Sequence, residues 1–226
     1  MDALSVLFIL GLALAPDGGT HPVPLPADFD ATKCTDCHTD RSEGKYVHSA
    51  MAIGCVACHQ VETKNDETSI NLIAPRNELC ITCHEVEKRA VMHGPYKNGE
   101  CLACHDPHSS NYPAHTRAET NTLCFTCHGV NQPGVAVKDG VVQLPGEQTF
   151  PLDEYRQAKK LGLDRSGKSG HPIMGHPIEG RDDPRKKGTS LSCLSCHVQH
   201  SSALPALMPA DVKNDIDLCT KCHQGD

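Results

Sequence analysis

Apolar residues fall into short clusters along this chain, and the longest mostly apolar cluster lies near its start. Residues 4–15 are too few to cross a bilayer, which takes about 20 residues, but they have the length of the hydrophobic part of a secretory signal. Ala13-Leu14-Ala15 matches a small-x-small cleavage pattern, although Asp2 replaces the usual basic residue and Pro16 follows the cut. We expect a signal peptide at 1–15; a retained weak anchor or a misassigned start codon are the alternatives.

Downstream of Pro16, the chain favours helix only in short stretches. Its composition predicts one or two helical turns over 49–59, a helix over 78–89, and a short helix over 153–161 with Gly162 as its stop. Pro and Gly lie between these stretches, so the predicted helices are short.

Two turn signals predict where the chain reverses. Asn65-Asp66 lies in the polar stretch 60–78, and Asp139-Gly140 lies between two β-branched runs within 135–142. The second, with its β-branched neighbours, is a strong hairpin signal. The chain is therefore predicted to be mainly irregular, with short α-helices and at most a small β-hairpin.

The chemistry of the chain is concentrated in one motif, Cys-x-x-Cys-His, which occurs seven times and uses all fourteen cysteines. In this motif two thiols form thioether bonds to a haem, and the His binds the iron from one side. Zinc sites, dithiol redox sites and disulfides are the rival uses of Cys-x-x-Cys, but none of them requires the following His. We therefore predict seven covalently attached c-type haems. The predicted attachment residues are Cys34, Cys37, Cys55, Cys58, Cys80, Cys83, Cys101, Cys104, Cys124, Cys127, Cys193, Cys196, Cys219 and Cys222.

Histidines are numerous enough to bind each iron from both sides. The predicted proximal ligands are the motif histidines His38, His59, His84, His105, His128, His197 and His223. Eight others remain for seven irons, so bis-histidine coordination is the economical prediction. The predicted distal ligands are His21, His48, His93, His108, His171, His176 and His200. His115 is the predicted spare because the matching position of another copy is Leu207, and His21 is the next candidate for that role. The alternative distal ligands are Met51, Met92, Met174 and Met208.

The motifs recur in pairs. Residues 55–84, 101–128 and 193–223 form three copies, here called the first, second and third copy, and a lone motif at 34–38 precedes them. The first copy is the loosest, with Glu62 where the others have His three residues after a motif. The expected organisation is a signal peptide at 1–15, a haem domain for haems 1–5 at 16–128, an insertion with the hairpin and a short helix at 129–170, and a haem domain for haems 6 and 7 at 171–226.

The composition leaves little material for an ordinary core. Aromatic residues are 4% of the chain, Trp is absent, and there are 18 Gly and 16 Pro. Such a chain buries too little apolar surface to offset its conformational entropy unaided. We expect the haems to supply the core, so that folding is coupled to haem attachment and the apoprotein is largely disordered.

The charge balance bears on partners. The formal net charge is -7, and haem propionates would add to it, which argues against nucleic acid and for docking on basic patches of redox proteins. The basic cluster at 185–187 is predicted to be a solvated face, with pairing to propionates as the alternative.

Several stretches resemble the doubled-CxxCH class of multihaem c-type cytochromes. These are His176-Pro177-Ile178, residues 191–202 with the sequence Leu-Ser-Cys-Leu-Ser-Cys-His-Val-Gln-His-Ser-Ser, residues 218–223, and Val-His-Ser-Ala-Met at 47–51. The resemblance extends over roughly residues 20–226. It implies a periplasmic or extracellular electron carrier with haems stacked along the chain in alternating parallel and T-shaped pairs.

Three functions are compatible with the sequence. Consecutive motifs begin 21, 25, 21, 23, 69 and 26 residues apart, so most haems are expected near contact, as in a non-enzymatic carrier with seven low-potential haems serving anaerobic or extracellular respiration. The second hypothesis is a haem subunit of a membrane redox complex or a filament protomer. The third, a catalytic multihaem reductase, needs an iron with an open position. Donor and acceptor redox proteins are the expected partners, and no membrane span is expected after signal cleavage.

Overall fold

The computed structural model of the protein describes residues 18–130, 135–161, 171–173 and 175–223. The predicted signal peptide, the helix stop at Gly162 and the candidate ligand Met174 lie outside these residues. Within the described ranges, no helix is both long and apolar enough to cross a membrane.

Helical structure comes in pieces of one or two turns. The α-helices of the described residues are Cys34–Cys37 (α1), Arg76–Leu79 (α2), Gly94–Lys97 (α3), Thr120–His128 (α4), Leu152–Gln157 (α5) and Asp215–Thr220 (α6). The 3-10 turns are Ala31–Lys33, Thr39–Arg41, Ser49–Ala52, Cys55–Ala57, Cys80–Thr82, Cys101–Ala103, Pro113–His115, Pro145–Glu147, Cys193–Ser195 and Pro205–Leu207. Every motif begins within one of these pieces, so short helical turns are the local form of the motif.

The predicted helices occur with altered bounds. The stretch 49–59 forms two 3-10 turns, which Gly54 separates with a left-handed φ of 110°. The helix predicted over 78–89 was wrong in extent, because helical structure begins at Arg76 and ends at Thr82. Beyond it, the Glu87 carbonyl oxygen accepts a hydrogen bond from Ser201 Oγ at 2.9 Å, so a tertiary contact uses the group that a longer helix would need.

The strands form four small antiparallel sheets. Their bounds are Gly18–Thr20 (β1), Tyr46–Val47 (β2), His59–Lys64 (β3), Glu67–Leu72 (β4), Val91–Met92 (β5), Ser109–Ser110 (β6), Val137–Lys138 (β7), Val141–Leu144 (β8), Gln148–Pro151 (β9) and Ser201–Ser202 (β10). Two sheets have three strands, in the orders β1-β4-β3 and β7-β8-β9, and two have two strands, β2-β6 and β5-β10.

The prediction of at most a small β-hairpin therefore underestimated the amount of β-structure. The hairpin at Asp139-Gly140 is confirmed, with both residues at positive φ, and β9 extends it to three strands. Asn65 and Asp66 also have positive φ, 51° and 61°, and join β3 to β4 in a two-residue hairpin turn. Many polar side chains lie on these two strands, so their sequence predicted the turn but not the strands.

Few large apolar side chains are buried in the described part of the chain. The main cluster, Val142, Leu144 and Phe150, belongs to the β7-β8-β9 sheet. Ala103, in the turn of the fourth motif, packs against it, so the insertion is attached to the motif-bearing part of the chain. The predicted division into 16–128, 129–170 and 171–226 stays a prediction, although β5 and β10 pair across it.

Candidate functional site

Each motif is built on a single tight turn. In the fourth motif, Cys104 N–H and His105 N–H both donate to the Cys101 carbonyl oxygen, at 3.2 and 3.0 Å. The motifs at 80–84, 193–197 and 219–223 have the same two bonds. Residues three apart lie on one face of such a turn, so the two thiols share a side and the His follows directly. None of the fourteen cysteines, all of which lie in the described residues, forms a disulfide.

Every motif histidine faces the ring of one histidine outside the motifs. The pairs, with ring-centroid distances and interplanar angles, are His38–His21 (5.9 Å, 73°), His59–His108 (6.1 Å, 10°), His84–His48 (6.0 Å, 24°), His105–His200 (5.9 Å, 54°), His128–His93 (6.0 Å, 26°), His197–His171 (5.9 Å, 14°) and His223–His176 (6.1 Å, 78°). Each predicted proximal residue and each predicted distal residue is used once. His115 is the histidine left outside the seven pairs.

The gap between paired rings fits one metal ion. An imidazole nitrogen binds a metal at about 2.0 Å and lies about 1 Å from its ring centre, so two rings on opposite sides of one ion have centres about 6 Å apart. The seven observed distances span only 5.9 to 6.1 Å. Two other ring contacts are closer, Tyr96–His200 at 4.6 Å and His48–His115 at 5.3 Å. The paired rings are thus held apart rather than packed against each other.

Hydrogen bonds at Nδ1 prepare several rings for a metal at Nε2. Since a carbonyl oxygen only accepts, Nδ1 carries the proton and Nε2 keeps its lone pair, which is the form of histidine that binds a metal. The bonds are His105 to Ala114 O (2.8 Å), His128 to Lys159 O (2.9 Å), His197 to Ala206 O (2.8 Å), His21 to Val23 O (2.6 Å) and His176 to Pro177 O (2.8 Å).

Burial favours the neutral form of several of these rings, which is the form that binds a metal. Burial, with a smaller contribution from the neighbouring rings of His128 and His200, lowers the pKa of His93 to about 4. The pKa values of His59 and His105 also lie below the ordinary value, again mainly through burial.

Two strand bridges position four of the distal histidines. In the first, β2 pairs with β6, and His48 N–H donates to the His108 carbonyl oxygen at 2.8 Å. In the second, β5 pairs with β10, and His93 N–H donates to the His200 carbonyl oxygen at 2.9 Å. Each bridge therefore ends in two histidines whose backbones are bonded together.

The two histidines of a bridge serve different motifs. The upstream histidines, His48 and His93, face the second motif of their own copy. The histidine three residues after a motif, His108 or His200, faces the first motif of the preceding copy. Each bridge thus connects consecutive copies through their sites. The first motif of the third copy faces His171 instead.

Glu62, which replaces the His found in the other two copies, lies in a different local fold. Glu62 lies on β3, where its carboxylate accepts from Gln60 Nε2 at 2.8 Å and pairs with Lys64 Nζ at 2.9 Å. The same sheet carries β1, and His21 N–H donates to the Thr68 carbonyl oxygen at 2.7 Å. His21, rather than a residue at position 62, therefore reaches the lone first motif.

His115 occupies a backbone position that recurs in the third copy, and it is not paired with a motif histidine. It has a left-handed φ of 56°, and Leu207 has the same conformation in the third copy, with φ of 57°. Its Nδ1 lies 3.2 Å from the Tyr46 carbonyl oxygen, and its ring packs edge-on against His48 at 75°. The position therefore accepts either side chain.

The first cysteines of neighbouring motifs approach each other at three places. These pairs are Cys34–Cys55, Cys80–Cys101 and Cys124–Cys193. The hydrogen bond between Cys80 and Cys101 raises the pKa of Cys80 and lowers that of Cys101. Cys124 and Cys193 share such a bond although 69 residues separate them in sequence.

The second cysteines approach each other at the three alternate places. These pairs are Cys58–Cys83, Cys104–Cys127 and Cys196–Cys222. Burial raises the pKa of Cys104 to about 11, and the neighbouring Cys127 adds to the rise. Hydrogen-bonded first cysteines and electrostatically interacting second cysteines alternate along the chain, so each motif is next to the following one and the seven form a row in sequence order.

More than half of the chain matches a family model described as doubled CXXCH motif, over residues 48–89, 93–132 and 183–226. The chain belongs to the doubled CXXCH motif family. Its motifs therefore indicate covalently bound haem c. Among curated proteins, none matches the chain. The first two matched ranges begin at His48 and His93, the upstream histidines of the strand bridges.

Tyr96 is a residue of this doubled CXXCH protein that the sequence analysis missed. Its ring stacks on His200 at 4.6 Å and 12°, and its hydroxyl donates to the Glu87 carbonyl oxygen at 3.4 Å. It follows His93 by three residues, where the first copy has Met51. Comparison of the copies therefore could not have identified Tyr96 from the sequence.

Two arginines brace motif turns. Arg117, whose side chain is 6% exposed, donates from Nε to the Leu102 carbonyl oxygen at 2.8 Å and pairs with Asp106 at 3.1 Å. Arg185 donates to the Ser195 carbonyl oxygen at 3.2 Å and pairs with Asp211 at 3.1 Å. For Arg185, the predicted solvated face was wrong, because the side chain contacts the sixth motif.

The Asp106 carboxylate is held in its charged form. Burial would raise its pKa, but hydrogen bonds from His108 and the charge of Arg117 outweigh burial, so the pKa lies well below its usual range.

Proposed function

We propose that this doubled CXXCH protein is an electron carrier that holds seven c-type haems, each iron between two imidazoles. The observation that carries the proposal is the one-to-one pairing of seven motif histidines with seven other histidines at 5.9 to 6.1 Å. In this proposal the fourteen cysteines form the thioethers, and the paired rings supply the axial ligands.

The haem would supply a one-electron iron couple, and the chain would bind, orient and insulate it. Two imidazoles per iron would leave no coordination site for a substrate, and the same two residues would hold the iron before and after it receives an electron. Apolar side chains near motifs and ligands in the sequence are exposed: Ile53 is 73% exposed, Ile173 67% and Ile216 76%. Porphyrin faces would cover such side chains and supply the apolar core that the chain lacks.

The row of motifs supports conduction along the chain. Thiols of consecutive motifs influence each other from the first motif to the seventh, and those of Cys124 and Cys193 share a hydrogen bond across the long interval. Haems attached at neighbouring thiols would lie close together, and electrons could then hop from one end of the row to the other.

The pairing favours a carrier over the two rival functions. A reductase needs an iron with an open position, whereas each motif histidine faces a second ring. Each pair also forms within one chain, so no ligand from another subunit is needed. A filament or membrane-complex subunit would have to assemble through other contacts.

The setting of this function also remains a proposal. We infer a periplasmic or extracellular location and redox protein partners in anaerobic or extracellular respiration. Support comes from the apolar N-terminal segment and from the net charge of -7, which favours basic docking patches on partners.

Mass and spin state test the proposal together. The chain, expressed with its N-terminal segment in a bacterial host that matures c-type cytochromes, should have the polypeptide mass plus seven haems. The oxidised protein should be wholly low-spin, and reductive titration should take up seven electrons per chain. The bare polypeptide mass, or bound zinc, would refute the haem assignment. A stable high-spin fraction in the wild type would favour the reductase.

A further inference from the structure

The seven histidine pairs differ in the angle between their ring planes. Four pairs are nearly parallel, at 10° to 26°, and His105–His200 is intermediate at 54°. Two pairs are crossed, His21–His38 at 73° and His176–His223 at 78°. The crossed pairs belong to the first and the seventh motif, which are the two ends of the row.

A local hydrogen bond holds the distal ring at each end. His21 donates from Nδ1 to the Val23 carbonyl oxygen at 2.6 Å, and His176 donates to the Pro177 carbonyl oxygen at 2.8 Å. Both acceptors lie within two residues of the ring, so the ring is fixed against its own stretch of backbone. Four interior distal histidines instead lie next to strand bridges, where a second segment is bonded to their backbone.

The repeated Gly-His-Pro-Ile provides an internal comparison. His171 and His176 stand in the same tetrapeptide, at 170–173 and 175–178. The ring of His171 is 14° from its partner, whereas that of His176 is 78° from its own. The sequence of the tetrapeptide alone therefore does not set the angle between the ring planes.

We propose that the two end sites are electronically distinct from the interior sites because their imidazole planes are crossed, and that the Nδ1 bonds of His21 and His176 hold them so. This inference rests on the proposed function. Parallel imidazoles act on the same iron d orbital, which splits the d orbitals and stabilises the ferric state. Crossed imidazoles act on two d orbitals equally and remove this splitting.

The difference has a functional consequence for the row. Without the splitting, the ferric state is less stabilised, so a crossed site accepts an electron more readily than an otherwise identical parallel site. Crossed planes therefore bias an electron toward the ends of the row, where a partner protein can deliver or collect it.

Electron paramagnetic resonance of the fully oxidised holoprotein tests the assignment. Crossed planes give a low-spin ferric signal with a large maximal g value, and parallel planes give a rhombic signal. We expect the first signal to account for two of the seven haems. His21→Ala and His176→Ala should each remove half of it, whereas His171→Ala, the matched control, should leave it unchanged. Loss of this signal in His171→Ala, or its survival in both end variants, would overturn the proposal.

Two milder variants test the hydrogen-bonded lock. Pro22→Gly and Pro177→Gly loosen the backbone that carries each acceptor while keeping the ligand. Each should convert part of the crossed signal to a rhombic one with all seven haems still low-spin. An unchanged signal in both would refute the lock.

Different experimental results would refute the proposed function and this inference. A wild-type protein with seven low-spin haems and only rhombic signals would overturn the crossed-plane inference and leave the electron carrier in place. Fewer haems, or high-spin iron, would overturn the function itself.

Discussion

The strand bridges and the first sheet bring a distal histidine to a motif in different ways. In a bridge, the segment after a motif pairs with a strand of an earlier copy, and the His three residues after the motif is placed at a site. In the first sheet, the same segment forms the long strand β3, Glu62 replaces that His, and β1 delivers His21 from upstream. The comparison teaches that strand pairing, rather than distance from a motif, decides which histidine reaches which site.

The largest expected effect comes from the bridge histidines. On the proposed ligation, His108→Ala and His200→Ala should each leave one ferric haem without its distal ligand, because the facing ring is lost. The measurement is the high-spin fraction of the oxidised protein by optical and magnetic spectroscopy.

Two variants serve as controls for the bridge. His115→Leu copies the residue of the third copy at an equivalent left-handed position and should leave all haems low-spin. Glu62→His restores the missing repeat residue on β3 and should create no new ligand. A change of spin state in His115→Leu, or displacement of His21 in Glu62→His, would contradict the comparison.

The next largest expected effect is a loss of stability when a buried hydroxyl of the first sheet is removed. Thr68 is fully buried, and its Oγ1 accepts from Leu25 N–H at 2.9 Å and bonds Thr63 Oγ1 at 2.8 Å. Thr68→Val leaves the Leu25 N–H unpaired and should lower the free energy of unfolding of the holoprotein by about 1–3 kcal/mol. Thr63→Val loses only the shared bond and should cost less in the same denaturant titration. Equal losses would show that the Leu25 bond is unimportant.

Matched serines test whether the two bridges are equivalent. Ser110 Oγ donates to Thr116 O and accepts from Tyr112 N–H, and Ser202 makes the corresponding bonds in the third copy. Ser110→Ala and Ser202→Ala should each lower the free energy of unfolding by about 1–2 kcal/mol. Thermal unfolding of the holoprotein measures both. A large difference between the two would mean that the bridges are not equivalent.

Replacing Tyr96 should have the smallest effect on stability. Only the second bridge has this tyrosine, so the substitution also distinguishes the two bridges. Tyr96→Ala removes the ring stacked on His200 and should cost about 0.5–1.5 kcal/mol while changing the ferric signal of one haem. Tyr96→Phe keeps the stacking and should retain that signal. Met51→Ala, at the equivalent place of the first bridge, is the control for general loss of packing. Identical spectra in Tyr96→Ala and the wild type would remove any positioning role of the tyrosine.

Much of the local structure follows from residue types. A Cys-x-x-Cys-His turn closes through bonds between residues three and four apart, so it needs no distant contact. The turns at Asn65-Asp66 and Asp139-Gly140 likewise use residues that tolerate positive φ. The extra strands were not predictable in the same way, because two-residue strands such as β5 and β10 exist only through their partners.

The sequence by itself determined the seven motifs and the shortage of apolar residues for an ordinary core, and it predicted His115 as the spare histidine with His21 as the next candidate. Only the tertiary structure decided which histidine faces which, since paired rings are between 17 and 95 residues apart. It also decided the ring planes, as the two Gly-His-Pro-Ile copies show. The physical reason is that residue type sets what an atom can bind, whereas strand pairing and local hydrogen bonds set where that atom lies.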